Sequence, residues 1–232
     1  MTYIFVPSGI KPVHSFDLWG TLVIQDVLGP RVLEVYQQLM TGQDTLERVA
    51  QNIANYEGVL RGDKKALEDK KVHVDTVEDP VWNAYLQGEV DVNFEGVLYH
   101  DALTAMDEIV ESEEGLCILT TGSLPWVKKA IASVNPKVGE FLGKVYSGNK
   151  ENPEVYEATA DDLRRNQAKL VSHTEDQMKG FAGILQSELR KQIELVYVER
   201  AGLSTADEVL SRGIHRYVTD LANVPYTRLV SR

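Results

Sequence analysis

Apolar residues in this chain gather into short runs, and longer amphipathic stretches separate one run from the next. That alternation is the strongest constraint on the fold. A short, apolar strand is buried on both faces, and an amphipathic helix after it carries the chain back so that the next strand runs parallel. The expected strands are 13–16, 116–119, 144–146, 169–171, 195–198 and 217–218, with 3–6 as an added edge strand. The fold class is therefore α/β, a parallel sheet covered by helices.

Between the first two long strands lies sequence of a different character. Pro30 followed by Val32, Leu33, Val35, Tyr36 and Leu39 reads as a helix ending near Gly42. Asp44 is the expected N-cap of a second helix carrying Leu46, Val49, Ala50, Ile53 and Tyr56. More polar sequence runs from Asp63 to Asp79, before Pro80-Val81-Trp82 with Tyr85 and Leu86. Phe94-Glu95-Gly96-Val97 marks the return, and 102–110 is the helix that precedes the next strand. Residues 24–93 are thus expected to form a helical cap, and 1–23 with 94–232 the core; a subdomain with only a structural role is the alternative.

A length of 232 residues suits one domain with a large insertion. The net charge of -11, with no basic face, argues against a duplex nucleic-acid partner. It leaves room for a small anionic substrate in a locally positive pocket. Cys117 is the single cysteine, so no internal disulfide can form and a reducing, cytoplasmic setting is expected. No basic and apolar segment follows Met1, and no apolar run approaches ~18 residues, so neither secretion nor a membrane is expected. A small molecule is the expected partner, and a homodimer is compatible with the sequence.

Four segments carry chemistry. Asp17, in Phe16-Asp17-Leu18-Trp19-Gly20-Thr21-Leu22, places a carboxylate at the end of a strand and ahead of a Gly-Thr turn. Open α/β folds bind their ligands at such strand ends. Ile118-Leu119-Thr120-Thr121-Gly122-Ser123 delivers hydroxyls and a glycine turn that can bind an oxyanion, or cap a helix with Thr120 or Ser123. Lys150, ahead of Pro153, can neutralise a carboxylate and an anionic intermediate. Ser172-His173-Thr174-Glu175-Asp176 brings acidic oxygens that suit Mg2+, or equally a helix start with Thr174 as its cap.

In this order the segments resemble the haloacid dehalogenase superfamily, over about residues 13–218. The specific matches are Asp17 with Gly20-Thr21, the Leu119-Thr120-Thr121-Gly122 turn, and Lys150 through Pro153 to Tyr156. The resemblance implies a Rossmann-like core, a cap inserted after the first strand, and hydrolysis through an aspartate nucleophile. It implies Asp17, Lys150 and Thr120 as catalytic residues, and Trp19, Thr121, Gly122 and His173 as substrate contacts. Asp17 and Asp176 would be metal ligands only if Mg2+ is bound.

Two departures shape the expected activity. Most phosphatases of that superfamily carry an acid–base aspartate two positions after the nucleophile, where this chain has Trp19. Loss of such a group typically costs about 10²–10⁴-fold, and most for an alkoxide leaving group. Its dehalogenases have an aromatic residue there, and Asp17-Leu18-Trp19-Gly20-Thr21-Leu22 is similar to theirs. Against that, Thr120-Thr121 and Ser172-His173-Thr174 lack their asparagines, and His173 stands at the first acidic position expected of metal-dependent relatives. The first expectation is a dehalogenase-like hydrolase of a 2-haloacid or similarly activated substrate, with no cofactor required. The alternatives are a Mg2+-dependent phosphohydrolase and a degenerate member that binds without turnover. The remaining conspicuous residues have structural readings: Cys117 as core, Trp82 with Tyr85 as cap packing, His14 as a satisfied structural residue, and Glu111 to Glu114 as a solvated helix end.

Overall fold

The computed structural model describes residues 4–121, 126–226 and 230–231. Its strands are β1 Ile4–Phe5, β2 Lys11–Phe16, β3 Gly115–Thr120, β4 Leu142–Ser147, β5 Ala168–Glu175, β6 Glu194–Val198, β7 Arg216–Val218 and β8 Val230–Ser231. Its helices are α1 Gln25–Met40, α2 Leu46–Arg61, α3 Lys64–Glu68, α4 Lys70–Gln87, α5 His100–Glu111, α6 Val127–Val134, α7 Pro136–Phe141, α8 Pro153–Arg165, α9 Ala182–Gln186 and α10 Ala206–Ser211. Six strands form one all-parallel sheet in the order β4-β3-β2-β5-β6-β7. From β2 the chain steps outward through β3 and β4, then returns to the other side of β2 and steps outward again. Such a reversal opens a crevice at the C-terminal strand ends. Phe16 pairs with Ile118 and with Thr174, so β2, β3 and β5 end at nearly the same level there.

The expected edge strand at 3–6 is not part of this sheet. Ile4–Phe5 pairs with Val230–Ser231 in a separate two-stranded ribbon, and β4 and β7 hold the edges of the main sheet. Ile4 and Val6 pack with Val171 instead.

β5 is the informative difference from the sequence expectation. It runs for eight residues, through the polar Ser172, His173, Thr174 and Glu175, where only 169–171 reads as a strand by composition. Each polar side chain has a buried partner, which removes the usual penalty for such residues in a core. Ser172 Oγ meets His14 Nδ1 at 2.8 Å, and His14 Nε2 meets Glu114 Oε2 at 2.8 Å. His173 Nδ1 meets Ser15 Oγ at 2.9 Å, and the Thr174 and Tyr226 hydroxyls lie 2.9 Å apart. Two expectations are corrected by this. Thr174 is a strand residue and caps no helix, and Glu114 is buried rather than part of a solvated helix end.

Contacts divide the chain into 1–23 with 98–232, and 24–97. In the first unit α5 buries Ala102, Ala105, Met106, Ile109 and Val110, spaced to form one helix face. Burying a side chain the size of Met106 or Ile109 stabilises by about 1.5–3 kcal/mol. That face packs against β3 and α7. On the sheet, Leu119, Tyr156, Leu170, Phe181 and Leu195 belong to one core cluster, with Cys117 inside it. Burial pushes the Cys117 thiol up to about 12, which keeps it inert.

The second unit is helical throughout its long elements. α1 begins at Gln25 and contains Pro30, and α4 contains Pro80, so neither proline starts a helix. The polar stretch after Asp63 is also helical, because Val77, Glu78 and Val81 are buried while their charged neighbours face water. The α2 cap is Thr45, whose hydroxyl accepts from Arg48 N at 3.3 Å; Asp44 accepts from Thr45 N. The Glu78 carboxylate takes the Tyr56 hydroxyl at 2.7 Å and the Trp82 indole N–H at 3.1 Å, joining α2 to α4. Trp82 stacks on Phe94, and Ile24 N donates to Val97 O at 2.8 Å, which ties the two ends of the unit together.

Candidate active site

Asp17 stands one residue beyond β2, its N–H donating to Thr174 O at 2.8 Å. Lys150 follows β4 in the turn ahead of α8, where Asn152 caps the helix and Pro153 opens it. The backbone there is fixed by Gly183 N donating to Lys150 O at 3.0 Å. From that turn the ammonium reaches Asp17 Oδ1 at 2.5 Å and also pairs with Glu175. All three groups are buried.

Glu175 ends β5, and the local sequence pattern understates it. The strand register places Ser15 beside His173 and Phe16 beside Thr174, so the next residue, Glu175, comes level with Asp17. His173, expected as a substrate contact, is fully buried, bonded to Ser15, and edge-on to Tyr156 and Phe181. Burial, and then the nearby Lys150 charge, hold its imidazole well below the ordinary range and therefore neutral. Glu175, two positions further on, is the carboxylate that the register brings level with Asp17.

Asp176 comes next, held by Thr21 Oγ1, which donates to Oδ1 at 3.2 Å. Glu175 Oε1 accepts from the backbone N–H groups of Asp176 and Gln177 at 3.1 and 3.2 Å. Two glycines make room for the pair. Gly20 has φ of 76°, and a Cβ there would lie 2.2 Å from Asp176 Oδ2. A Cβ on Gly180 would lie 2.0 Å from Glu175 Oε2. Tyr156, fully buried, donates its hydroxyl to the Gly180 carbonyl and so fixes that wall. The glycine spacing after Glu175 was visible in the sequence, but only the register shows what it accommodates.

Carboxylate oxygens of Asp17, Glu175 and Asp176 come within 4.8 Å of one another. Oxygens around one Mg2+ at about 2.0–2.1 Å can lie up to about 4.2 Å apart, so small side-chain movements suffice to share an ion. The electrostatics point the same way. Three carboxylates face one ammonium, and burial raises all three. Burial lifts Asp17 to about 6, with Lys150 pulling it back down and Asp176 adding to the rise. Burial also lifts Glu175 well above the carboxylate range and raises Asp176. Burial works against the Lys150 ammonium, but Glu175 and Asp17 outweigh it and hold its charge above the usual range. A buried, all-oxygen site with excess negative charge fits a hard divalent cation.

Thr120 ends β3, and its buried Oγ1 has no hydrogen-bond partner among the described residues. Thr121 is exposed, and Gly122 lies outside the described residues. Trp19 is half-buried and tilted 54° against Trp126, with ring centroids 6.0 Å apart. The geometry thus brings Asp17, Lys150, Glu175 and Asp176 together, and leaves His173 beneath the site.

A consequence for stability follows from Asp17. Between about pH 4 and about 6 the folded chain keeps a proton on Asp17 that the unfolded chain has released. This contribution is fully present below about pH 4 and lost as pH rises through about 6, on the order of 3 kcal/mol. Melting in a chelator should therefore fall across this window, with a shallower fall in Asp17→Asn. Equal slopes in the two proteins would contradict the assignment.

No protein-family model and no curated relative matches the sequence. Solved structures do match. A haloacid dehalogenase-like hydrolase from Burkholderia xenovorans LB400 is 18% identical with a TM-score of 0.57, over 96% of this chain and 100% of that one. CbbY from Rhodobacter sphaeroides, in complex with xylulose-(1,5)bisphosphate, is 15% identical with a TM-score of 0.52, over 96% and 100%. The HAD-hydrolase YfnB from Bacillus subtilis, bound to magnesium, is 12% identical with a TM-score of 0.53, over 93% and 100%. At these identities the likeness defines the fold: a Rossmann-like α/β fold of the haloacid dehalogenase type.

Proposed function

We propose that this chain is a phosphohydrolase that uses Asp17 as a covalent nucleophile and a divalent cation held by Asp17, Glu175 and Asp176. The observation that carries the reading is the convergence of those three carboxylates beside Lys150. Likeness to a magnesium-bound hydrolase and to a sugar-bisphosphate complex supports it. When bound, the cation would supply positive charge against the phosphoryl oxygens.

In the first step an Asp17 oxygen attacks phosphorus, the bond from phosphorus to the leaving group breaks, and the leaving group departs with the electron pair. Water then attacks phosphorus, the bond from phosphorus to Asp17 breaks, and phosphate leaves carrying the protons of that water, which restores the Asp17 carboxylate. Lys150 keeps Asp17 ionised and offsets charge on the transferred group. The unpartnered Thr120 hydroxyl is available to a phosphoryl oxygen. The Trp19 indole N–H is too weak an acid to serve as a general acid for an alkoxide, so the substrate is a small anionic phosphate with a stable leaving group, such as an acyl phosphate.

A second reading, a dehalogenase-like attack of Asp17 on carbon, is favoured by Trp19 at the acid position and by Lys150 against the nucleophile. A panel of acetyl phosphate, p-nitrophenyl phosphate, a simple sugar phosphate and a 2-haloacid, each with Mg2+ and with EDTA, separates the two. The expected result is EDTA-sensitive turnover, fastest on acetyl phosphate and slowest on the sugar phosphate. Metal-independent release of halide would establish the second reading instead.

A further inference from the structure

Arg200, which the sequence does not single out, sits in the loop after β6 at the same end of the sheet as Asp17. That loop is built rigidly: the Glu199 carboxylate accepts backbone N–H groups from Ala201, Gly202, Leu203 and Ser204. The Arg200 guanidinium makes a two-pronged pair with Asp101 in the first turn of α5, at 2.8 and 3.0 Å. Asp101 also accepts from Leu221 N at 2.8 Å, so three separate stretches of chain meet at this pair. The guanidinium lies 4.0 Å from the ring centroid of Tyr99, and only 11% of the side chain is exposed. Planar, forked and stacked, it is held in one orientation.

From that orientation Nη2 donates to the Thr21 carbonyl at 3.3 Å. Thr21 is fully buried, and its hydroxyl is the one that donates to Asp176 Oδ1. The rest of the turn is fixed locally, with Leu22 N and Val23 N both donating to Leu18 O and Gly20 N to Val23 O. One residue therefore receives the Arg200 contact on its backbone and delivers the Asp176 contact from its side chain. Gly20, packed against the other Asp176 oxygen, belongs to the same turn.

We infer that Arg200, held by Asp101, is a positioning residue that sets the Asp176 carboxylate for its cation through Thr21. This rests on the reading of Asp176 as a cation ligand. Removing a group that orients a metal ligand typically weakens affinity 10–100-fold. Arg200→Ala should therefore weaken Mg2+ binding by about that factor, while saturating Mg2+ restores kcat. A residue with only a structural role would not confine its effect to the Mg2+ dependence.

The test is calorimetric titration of the whole protein with Mg2+ alone, alongside the Mg2+ dependence of acetyl phosphate hydrolysis. Arg200→Ala and Thr21→Val should each weaken Mg2+ binding, and the double variant should lose little more than either, because they act in one chain of contacts. Arg200→Lys, which keeps a charge against Asp101 but not the fork, should fall between, and it stands in if Arg200→Ala does not fold. Wild-type Mg2+ affinity in the Arg200 variant, or fully additive losses, would overturn the inference. Asp176→Asn is the control for the underlying reading. If it binds Mg2+ as wild type does, the reading and the inference fall together. If it loses Mg2+ while the Arg200 variant does not, the inference alone falls.

Discussion

Asp17→Asn should lower turnover by roughly 10⁴–10⁶-fold and leave the fold in place. The amide is nearly the same shape as the carboxylate and still offers Lys150 an oxygen, but it has no lone pair fit for attack on phosphorus. Because Asp17 is one of three carboxylates, two of them buried, that face a single ammonium, removing its charge also relieves repulsion. The metal-free variant should accordingly melt higher than the wild type near pH 7. Activity and melting should thus move in opposite directions, which a variant that merely misfolds cannot produce. Wild-type activity in a preparation shown by mass spectrometry not to have deamidated would contradict the covalent role.

The second large effect is a gain. Trp19→Asp should raise hydrolysis of an unactivated alkyl phosphate by about 10²–10⁴-fold and raise acetyl phosphate turnover by less, since acetate gains only from a base for the water step. The position lies two residues beyond the nucleophile, where a carboxylic acid can protonate a departing alkoxide; acetate needs no such proton. Trp19 packs against Trp126, so its removal costs on the order of 3 kcal/mol of stability. Rates are therefore to be compared per folded molecule. A folded variant with no gain on the alkyl phosphate would show that the leaving group does not pass this residue.

What the sequence disclosed about the site, and what it hid, have distinct physical origins. Asp17 and Lys150 were legible because each follows an apolar strand, and a charged residue just past such a strand lies at the mouth of the sheet. Their contact, across 133 residues of chain, needed only the right strand order. Glu175 was less legible because β5 continues through four polar residues that composition assigns to a loop. Their partners, His14, Ser15, Tyr226 and Lys150, lie far away in the chain, so no local pattern shows that they are satisfied. The family resemblance placed His173 in the site; the real end of the strand brings Glu175 level with Asp17. The helical stretch after Asp63 was obscured in a similar way. Its charged residues face water, and a single buried stripe is easily overlooked when a proline interrupts it. Arg200 carried no local signal, since its role depends on Asp101 and Thr21, both remote in sequence.

Reduction by borohydride of a sample quenched during acetyl phosphate turnover with Mg2+ most directly tests Asp17 as the covalent nucleophile. An acyl phosphate on Asp17 would be reduced to homoserine, and mass spectrometry of the peptide spanning that position would read it out. The expected result is homoserine at position 17 in the sample with Mg2+, and none with EDTA or in Asp17→Asn. Rapid turnover with aspartate intact at position 17, or with homoserine at Glu175 or Asp176 instead, would contradict it.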